Sequence, residues 1–293
     1  KFSIKGTAGQ CLMYPPQRNA DGSFPYVLYN LGGGLYNLIF SLPFLIPIAL
    51  SGNILFRVYG IEWVILGILL ALTNIIPISY GIQNDGMNVK SMLTDSNMRE
   101  AFYLQLKINS EMSDGKQIQE YEPDLFTLPE GMDDTNMLAM GLRMMGYYQQ
   151  LAFHNFDKAK EMLSKMEEKL TSLLPAVRNA IELERLFFMV LERRPLEEIA
   201  VVYECVRLIL ETGKTDIGIW RVRYVYEAFL SEEEKKDIMT LIKKKRPKKW
   251  KECDREKLYQ EFLGAAKKFP VSGEADMFVT VVEKLREEFT KEG

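Results

Sequence analysis

Two long apolar runs near the start of the chain constrain its fold more than any other feature. Leu35 to Phe56 contains no charged residue, and Ile61 to Ser79 contains only Glu62, at its edge. At about 1.5 Å per residue, a helix of either length reaches across the hydrocarbon core of a bilayer, which is about 30 Å thick. The runs predict two membrane-spanning helices, and the short connection that contains Arg57 makes them a hairpin.

Proline interrupts the first run. Pro43 and Pro47 each remove a helical hydrogen bond, so a kinked or partly re-entrant helix is expected, with its end at Ser51-Gly52-Asn53. Glu62 is interpreted as an interfacial, solvated carboxylate, because charges near helix ends cost little. The alternative is two buried core helices of a soluble protein, but the runs lack the polar face of an ordinary amphipathic helix.

Charged residues near the hairpin predict its orientation. Only Arg57 lies in the connection, whereas several basic residues flank the outer ends, namely Lys1, Lys5, Arg18, Lys90 and Arg99. Because cytoplasmic flanks are enriched in Lys and Arg, both flanks are predicted to lie in the cytoplasm. The chain is therefore expected to be multi-pass, with lipid as a partner and everything after the hairpin in the cytoplasm.

Overall composition excludes some functions. The 293 residues include 37 basic and 40 acidic side chains, a net charge of −3, which gives no support for nucleic-acid binding. Cys11, Cys205 and Cys253 lie far apart without a paired framework, which suits a reducing compartment. The chain starts at Lys1 rather than at Met, so we expect a fragment of a longer protein.

The predicted organisation has three parts. Residues 1–28 are expected to form strand and turn pieces near the membrane surface, and residues 29–87 the two-pass membrane region. Residues 88–293 show helical periodicity and predict an α-helical domain, so the fold class is mainly α. Helices are predicted near residues 97–112, 135–153, 156–170, 175–193, 195–212, 216–229, 231–245, 254–268 and 274–290.

Local signals support these helices. Asn97 with Glu100 and Ser231 with Glu234 are candidate capping boxes, Pro175 and Pro195 suit first turns, and Gly213 suits a C-terminal cap. The turn-like segments Asn155–Ala159 and Arg194–Glu198 lie about 39 residues apart and resemble the turn of a tetratricopeptide repeat. A stack of helix pairs is the preferred architecture, and an irregular bundle is the alternative.

Two segments of the membrane part resemble motifs of the site-2 protease family of intramembrane zinc metallopeptidases. Gly32-Gly33-Gly34-Leu35-Tyr36-Asn37 looks like the family's AGPxxN-type segment, with Gly34 in place of proline. Asn74-x-x-Pro77 followed by Asp85-Gly86 resembles its NxxPxxxxDG segment, with about three additional residues before the aspartate. Residues 6–15 resemble a stretch of a Gram-positive subgroup that carries a helical cytosolic region, which implies a bacterial cytoplasmic membrane.

The resemblance implies roles for three residues. Asp85 would be a zinc ligand, Asn74 would orient substrate or the ligand loop, and Asn37 would lie on the helix that lines the site. The substrate would be a membrane-associated peptide. The family's HExxH motif is absent here, where His154 is the only histidine. The resemblance places that motif, with its general base, upstream of Lys1, so no catalytic residue is assigned and this chain alone is expected to be inactive.

Asp85 is also a candidate for a functional residue without the resemblance, because a carboxylate at membrane depth is costly unless it has a partner.

Three functions stay open: a membrane zinc endopeptidase, a non-enzymatic membrane-anchored scaffold, and a subunit of a transporter or peptide-export system. A concave surface lined by exposed Tyr147, Tyr148 and Phe153 would favour the scaffold.

The basic run 243–249 is interpreted as a solvated helix end, with contact to anionic lipid headgroups as the alternative.

Overall fold

The computed structural model describes residues 14–80, 82–213, 215–243 and 254–291. The described chain is mainly α-helical, as predicted. The helices are α1 (Tyr26–Ser41), α2 (Leu45–Leu50), α3 (Ile54–Ile75), α4 (Asp85–Thr94), α5 (Ser96–Ser113), α6 (Met137–Ala152), α7 (Phe156–Glu167), α8 (Pro175–Leu191), α9 (Leu196–Thr212), α10 (Ile217–Phe229), α11 (Glu232–Leu241), α12 (Arg255–Ala266) and α13 (Ser272–Lys291). A two-stranded antiparallel ribbon pairs β1 (Ser79–Tyr80) with β2 (Ile82–Gln83).

The first three helices form an apolar hairpin, Tyr26–Ile75. Its two arms, Tyr26–Leu50 and Ile54–Ile75, have 25 and 22 residues and the length and composition of membrane-spanning helices. Only 17% and 22% of their most apolar stretches are buried, whereas a core helix of a soluble protein is mostly buried. The two exposed apolar arms therefore indicate association with a membrane.

Small residues bring the two arms of the hairpin together. On α3 the buried positions recur every three or four residues and face α1 and α2; they are Gly60, Val64, Gly67 and Ala71. A Cβ at Gly67 would overlap the Oγ of Ser41, which itself donates to the carbonyl of Asn37 at 2.5 Å. Lipid tails are as apolar as leucine, so close backbone approach of this kind is what holds membrane helices together.

The boundary between the two arms differs from the prediction. The proline-bearing segment breaks as expected, at a 3-10 turn over Leu42–Phe44, and the chain turns after Leu50. However, α3 already begins at Ile54, because the Oδ1 of Asn53 caps it by accepting from the amides of Leu55 (3.0 Å) and Phe56 (3.2 Å). Apolar composition does not reveal such a cap.

Two charged residues consequently have different positions from those predicted. Arg57 lies in the first turn of α3 rather than in the connection, and Glu62 lies in its third turn rather than at the edge of the span. Both side chains are exposed on the surface of the apolar hairpin. Their interpretation as connection and interface residues depended on a helix that begins near Ile61.

Residues 14–25 connect the apolar hairpin to the rest of the chain without the predicted strand pieces. Their backbone turns at residues 20–22 and is otherwise irregular, and side chains rather than a strand ladder hold it against α5. Arg18 pairs with Glu100 at 2.8 Å and lies over the ring of Tyr103, and the buried Phe24 packs on the same ring. Residues 1–13, including the segment that resembles the Gram-positive subgroup, lie outside the described residues.

The remaining helices, α5–α13, form a helical array with one continuous core. In it α6 packs on α7, α8 on α9 and α10, α10 on α12, and α13 returns to α5, α6 and α10. His154 and Arg193 end α6 and α8 with left-handed backbone, at φ 57° and φ 53°. The two turns that the sequence aligned therefore have the same backbone form at the same place in successive helix pairs, which agrees with a stack of pairs.

Most helix boundaries agree with the sequence signals, with two corrections. The capping box of Ser231 and Glu234 is present, and Pro175 opens α8. Asp95, not Asn97, caps α5, because its Oδ1 accepts from the amide of Asn97 at 2.8 Å. Pro195 is the cap of α9 rather than a first-turn residue. The basic run reaches the described chain only at its first residue, Lys243.

A buried ion pair lies at the centre of the helical array. Glu184 of α8 and Arg221 of α10 are 3% and 0% exposed and form an ion pair. Glu184 also accepts from the hydroxyl of Tyr147 at 2.7 Å. Arg221 lies over the rings of Phe187 and Phe278, at 4.2 and 4.9 Å, so its charge is shared between a carboxylate and two aromatic faces. This network joins α6, α8, α10 and α13.

We expect Glu184→Ala to destabilise the protein by about 3–5 kcal/mol, because it leaves the Arg221 charge buried without its carboxylate. Arg194→Ala is the control, since Arg194 and Glu198 form an exposed pair worth about 0.5 kcal/mol or less. Chemical denaturation followed by circular dichroism measures both variants. A loss for Glu184→Ala no larger than that of the control would contradict the central role of the ion pair.

Candidate functional site

The strongest candidate for a functional site lies where the apolar hairpin meets the helical array. The chain leaves α3, passes through the β1–β2 ribbon and enters α4, whose first residue is Asp85. Helix α4 packs against α1, α3 and α5, and its Met92 belongs to the core of the helical array. The predicted boundary after residue 87 falls inside this helix, so α4 belongs to both parts of the molecule.

Asn84 fixes the position of Asp85. Its side-chain amide donates to the carbonyls of Thr73 (2.6 Å) and Ile76 (2.7 Å) at the end of α3. Its Oδ1 accepts from the amide of Ile78 (3.1 Å) and caps α4 through the amide of Met87 (2.9 Å). One side chain therefore satisfies orphan backbone groups at the end of one helix and at the start of the next.

Gly86 makes the second contact that positions Asp85. A Cβ at this residue would overlap the carbonyl oxygen of Ile75 and would lie 3.1 Å from that of Asn74. Only glycine allows the first turn of α4 to approach the end of α3 this closely. The backbone of Asp85 is thus held between a cap on one side and a helix terminus on the other.

The carboxylate of Asp85 is partly buried at this junction. Burial raises the pKa of Asp85 above the usual aspartate range. No cation or hydrogen-bond donor from the described residues lies within bonding distance of it, and the N-terminus of α4 supplies only the partial positive charge of the helix dipole. Asp85 therefore combines a fixed position with an unsatisfied preference for a positive partner.

The two predicted substrate-binding residues lie at different distances from Asp85. Asn74 is partly buried in the last turn of α3, and its carbonyl faces Gly86. Asn37 is partly buried on α1, and its carbonyl faces Gly67. Gly67 precedes Ile75 by eight residues, about 12 Å along a helix axis. The structure thus brings Asn74 next to Asp85 and places Asn37 about two turns deeper in the apolar hairpin.

The residues at this site do not form a complete metal centre. Across the described ranges, no group of three or more His, Cys, Asp and Glu side chains could hold an ion. His154 is remote from Asp85 along the chain, at the end of α6 in the helical array. Asp85 suits one ligand position, because its carboxylate is fixed and lacks a partner, but a zinc site needs at least two more protein ligands.

Asn84 is the residue that the sequence interpretation missed. An Asn immediately before an acidic first turn is a typical cap, so the signal was available in Asn84-Asp85-Gly86. The side chain of Gln83 also lies at this junction, where its Oε1 is buried and has no hydrogen-bond partner among the described residues.

The aromatic surface expected for a scaffold is only partly present. Tyr147 is fully buried in the ion-pair network and Tyr148 is partly buried, whereas Phe153 is 50% exposed. A shallow cleft of about 350 Å³ lies elsewhere, between α7, α8, α10 and α13, and both apolar and charged side chains line it, among them Phe156, Phe229 and Lys160.

Comparison with protein-family models, curated proteins and solved structures gave no match to this chain. The interpretation of the junction therefore depends on its geometry and on the motif resemblance.

We expect Gly86→Ala to destabilise the junction by about 1–3 kcal/mol, because the added methyl group pushes α4 away from the end of α3. Gly32→Ala on α1 is the control, since no atom lies within 4 Å of a Cβ there. Hydrogen exchange of the α4 amides in detergent measures the effect. Equal exchange in the two variants would show that the close approach at Gly86 does not position α4.

We expect Asp85→Asn to stabilise this chain at pH 7 in the presence of a chelator. Because the folded-state pKa of Asp85 is raised, ionisation destabilises the fold above that pKa, and the effect is absent below the usual range, where both states are protonated. The gain should therefore vanish below about pH 4. Thermal unfolding at pH 7 and pH 3.5 measures it, with Asp95→Asn, another cap-region change, as the control. A gain that is the same at both pH values would contradict this prediction.

Proposed function

We propose that the intact protein is a membrane-embedded zinc metallopeptidase of the site-2 type and that Asp85 is one of its metal ligands. One observation carries this proposal: a partly buried carboxylate without a partner is held rigidly at the end of an apolar hairpin. Its neighbours agree with the motif, because Asn74 and Gly86 adjoin each other at the same junction. A buried carboxylate with a raised pKa is a frequent property of functional sites.

Each residue of the junction has a defined part in this proposal. Asp85 would bind the metal, and Asn84 would hold its backbone so that the carboxylate keeps one orientation. Asn74 would offer polar groups to the backbone of a peptide substrate near the metal, and Asn37 would do so deeper along the hairpin. The chain has a single histidine, so two histidine ligands and a general base would come from a different segment.

The substrate in this proposal is a membrane-associated peptide that reaches the junction in an extended form. The positions of the basic residues favour a helical array in the cytoplasm and a hairpin that crosses the membrane twice, and the motif resemblance implies a bacterial cytoplasmic membrane. Because α4 packs both on the hairpin and on α5, a protein bound to the helical array would have a direct mechanical connection to Asp85.

A membrane-anchored scaffold is the second candidate, and the cleft between α7, α8, α10 and α13 favours it. Its lining combines apolar side chains such as Phe156 and Phe229 with charged ones such as Lys160, a mixture that suits a peptide with both apolar and charged residues. In a scaffold, Asp85 would have only a structural role, as the first residue of α4.

We expect Asp85→Ala to abolish zinc-dependent cleavage by the intact protein and to leave membrane insertion unchanged. Asp124→Ala is the control, since Asp124 is an exposed carboxylate in the connector before α6. Cleavage of a membrane-anchored reporter and vesicle flotation measure activity and insertion separately. Undiminished cleavage by the Asp85→Ala protein would refute the ligand assignment.

Zinc analysis of the purified 293-residue chain distinguishes the sources of the other ligands. The chain alone should not retain stoichiometric zinc, because one carboxylate is too few ligands. Stoichiometric zinc in this chain would mean that its own residues complete the centre.

A further inference from the structure

Helix α3 carries two charges on a surface that is otherwise apolar. Arg57 and Glu62 are the charged residues of Ile54–Ile75, and both are exposed. Glu62 lies eight residues after Ile54, about 12 Å along the helix axis. Ile54 and Leu55, which precede Arg57, are 67% and 64% exposed. Exposed apolar surface therefore extends along the helix on both sides of the two charges. Charged side chains within a membrane-spanning helix often pair with one another or with other protein groups, whereas an Arg near a helix end can also reach the interface.

Arg57 and Glu62 do not satisfy each other within one chain. Five residues apart on a helix, they point in directions that differ by about 140°. Neither forms an ion pair within the described part of the protein. A protein partner for either charge would therefore come from outside the hairpin.

An uncovered apolar stripe lies between the two charges. Its residues recur at alternating spacings of three and four, as in a coiled coil, and are Val58, Ile61, Ile65, Ile68 and Leu72. Four of them are exposed by 44%, 44%, 52% and 44%, in the order Val58, Ile61, Ile65 and Leu72. The face that packs on α1 and α2 is a different one, with Gly60 and Gly67. The stripe is thus free to contact another helix.

The positions of the charges identify that helix. If Val58 and Ile61 occupy positions a and d of a seven-residue coiled-coil repeat, Arg57 occupies position g and Glu62 occupies position e. In a parallel pair of helices, g of one strand meets e of the other, five residues further on. Arg57 and Glu62 have this spacing and opposite charges. Two copies of one protein insert in the same direction, so their α3 helices run parallel.

We propose that α3 is a dimerisation helix: two copies of this chain pair through the stripe from Val58 to Leu72, with reciprocal ion pairs between Arg57 of each copy and Glu62 of the other. The apolar stripe supplies close packing, but it competes with lipid of similar polarity. The two ion pairs act in a medium of low dielectric constant and determine register and direction. This proposal is independent of any metal at Asp85.

Disulfide cross-linking of the full 293-residue chain in phosphatidylcholine vesicles tests the stripe. In a background with the three native cysteines changed to Ser, Ile61→Cys should form a disulfide-linked dimer. Trp63→Cys is the control, since Trp63 is 53% exposed but lies on the far side of α3 from the stripe. We expect at least a tenfold higher dimer fraction for Ile61→Cys. Equal fractions, or no dimer at Ile61→Cys, would overturn the proposal.

Charge reversal tests whether the partner is a second copy. In the Ile61→Cys background, Arg57→Glu or Glu62→Arg alone should reduce the dimer fraction at least tenfold, because like charges then face each other. The double variant should restore it, and so should a mixture of the two single variants. If neither restores it, the ion pairs between two copies are absent and the proposal is overturned. Where a reversal prevents insertion, Arg57→Gln and Glu62→Gln replace it, and undiminished cross-linking in both would equally overturn the ion pairs.

Discussion

The organisation of this protein depends on the hydrogen bonds that the side chain of Asn84 makes between α3 and α4. This side chain links the last carbonyls of the apolar helix α3 to the amide of Met87 in the first turn of α4, where the apolar hairpin ends and the helical array begins. Unsatisfied backbone groups cost most in an apolar environment, so the change of direction there requires a local polar group. Because Asp85 follows Asn84 directly, the same hydrogen bonds determine where its carboxylate lies.

The helical array depends on a polar interaction of a different kind. Glu184 and Arg221 are buried among aromatic side chains, and their pairing restricts how α8 and α10 pack against α6 and α13. A buried ion pair contributes little net stability, but it disfavours every arrangement that separates its members. Packing arrangements that separate Glu184 from Arg221 are therefore disfavoured at the centre of the array.

Ionisable residues in and next to the apolar hairpin have two separate consequences. Asp85 is fixed and partly buried, and its burial raises its pKa, which is the basis for proposing it as a cation ligand. Arg57 and Glu62 are exposed on α3 and have no partner in their own chain, which makes them suited to join two copies. Function in a membrane protein often lies where charge and apolar surface conflict, and both proposals follow from that conflict.

The sequence alone determined the apolar hairpin, the helical character of the remainder and the cap at Ser231, and it singled out Asp85 as a candidate. These features follow from local composition and from short-range hydrogen bonds, which a sequence displays directly. Tertiary structure alone decided that Asn37 lies about two turns from Asp85 and that Tyr147 is buried beside Glu184. It also decided which face of α3 stays uncovered, because that depends on how the two arms pack, and periodicity does not distinguish a face that meets a helix from one that meets lipid.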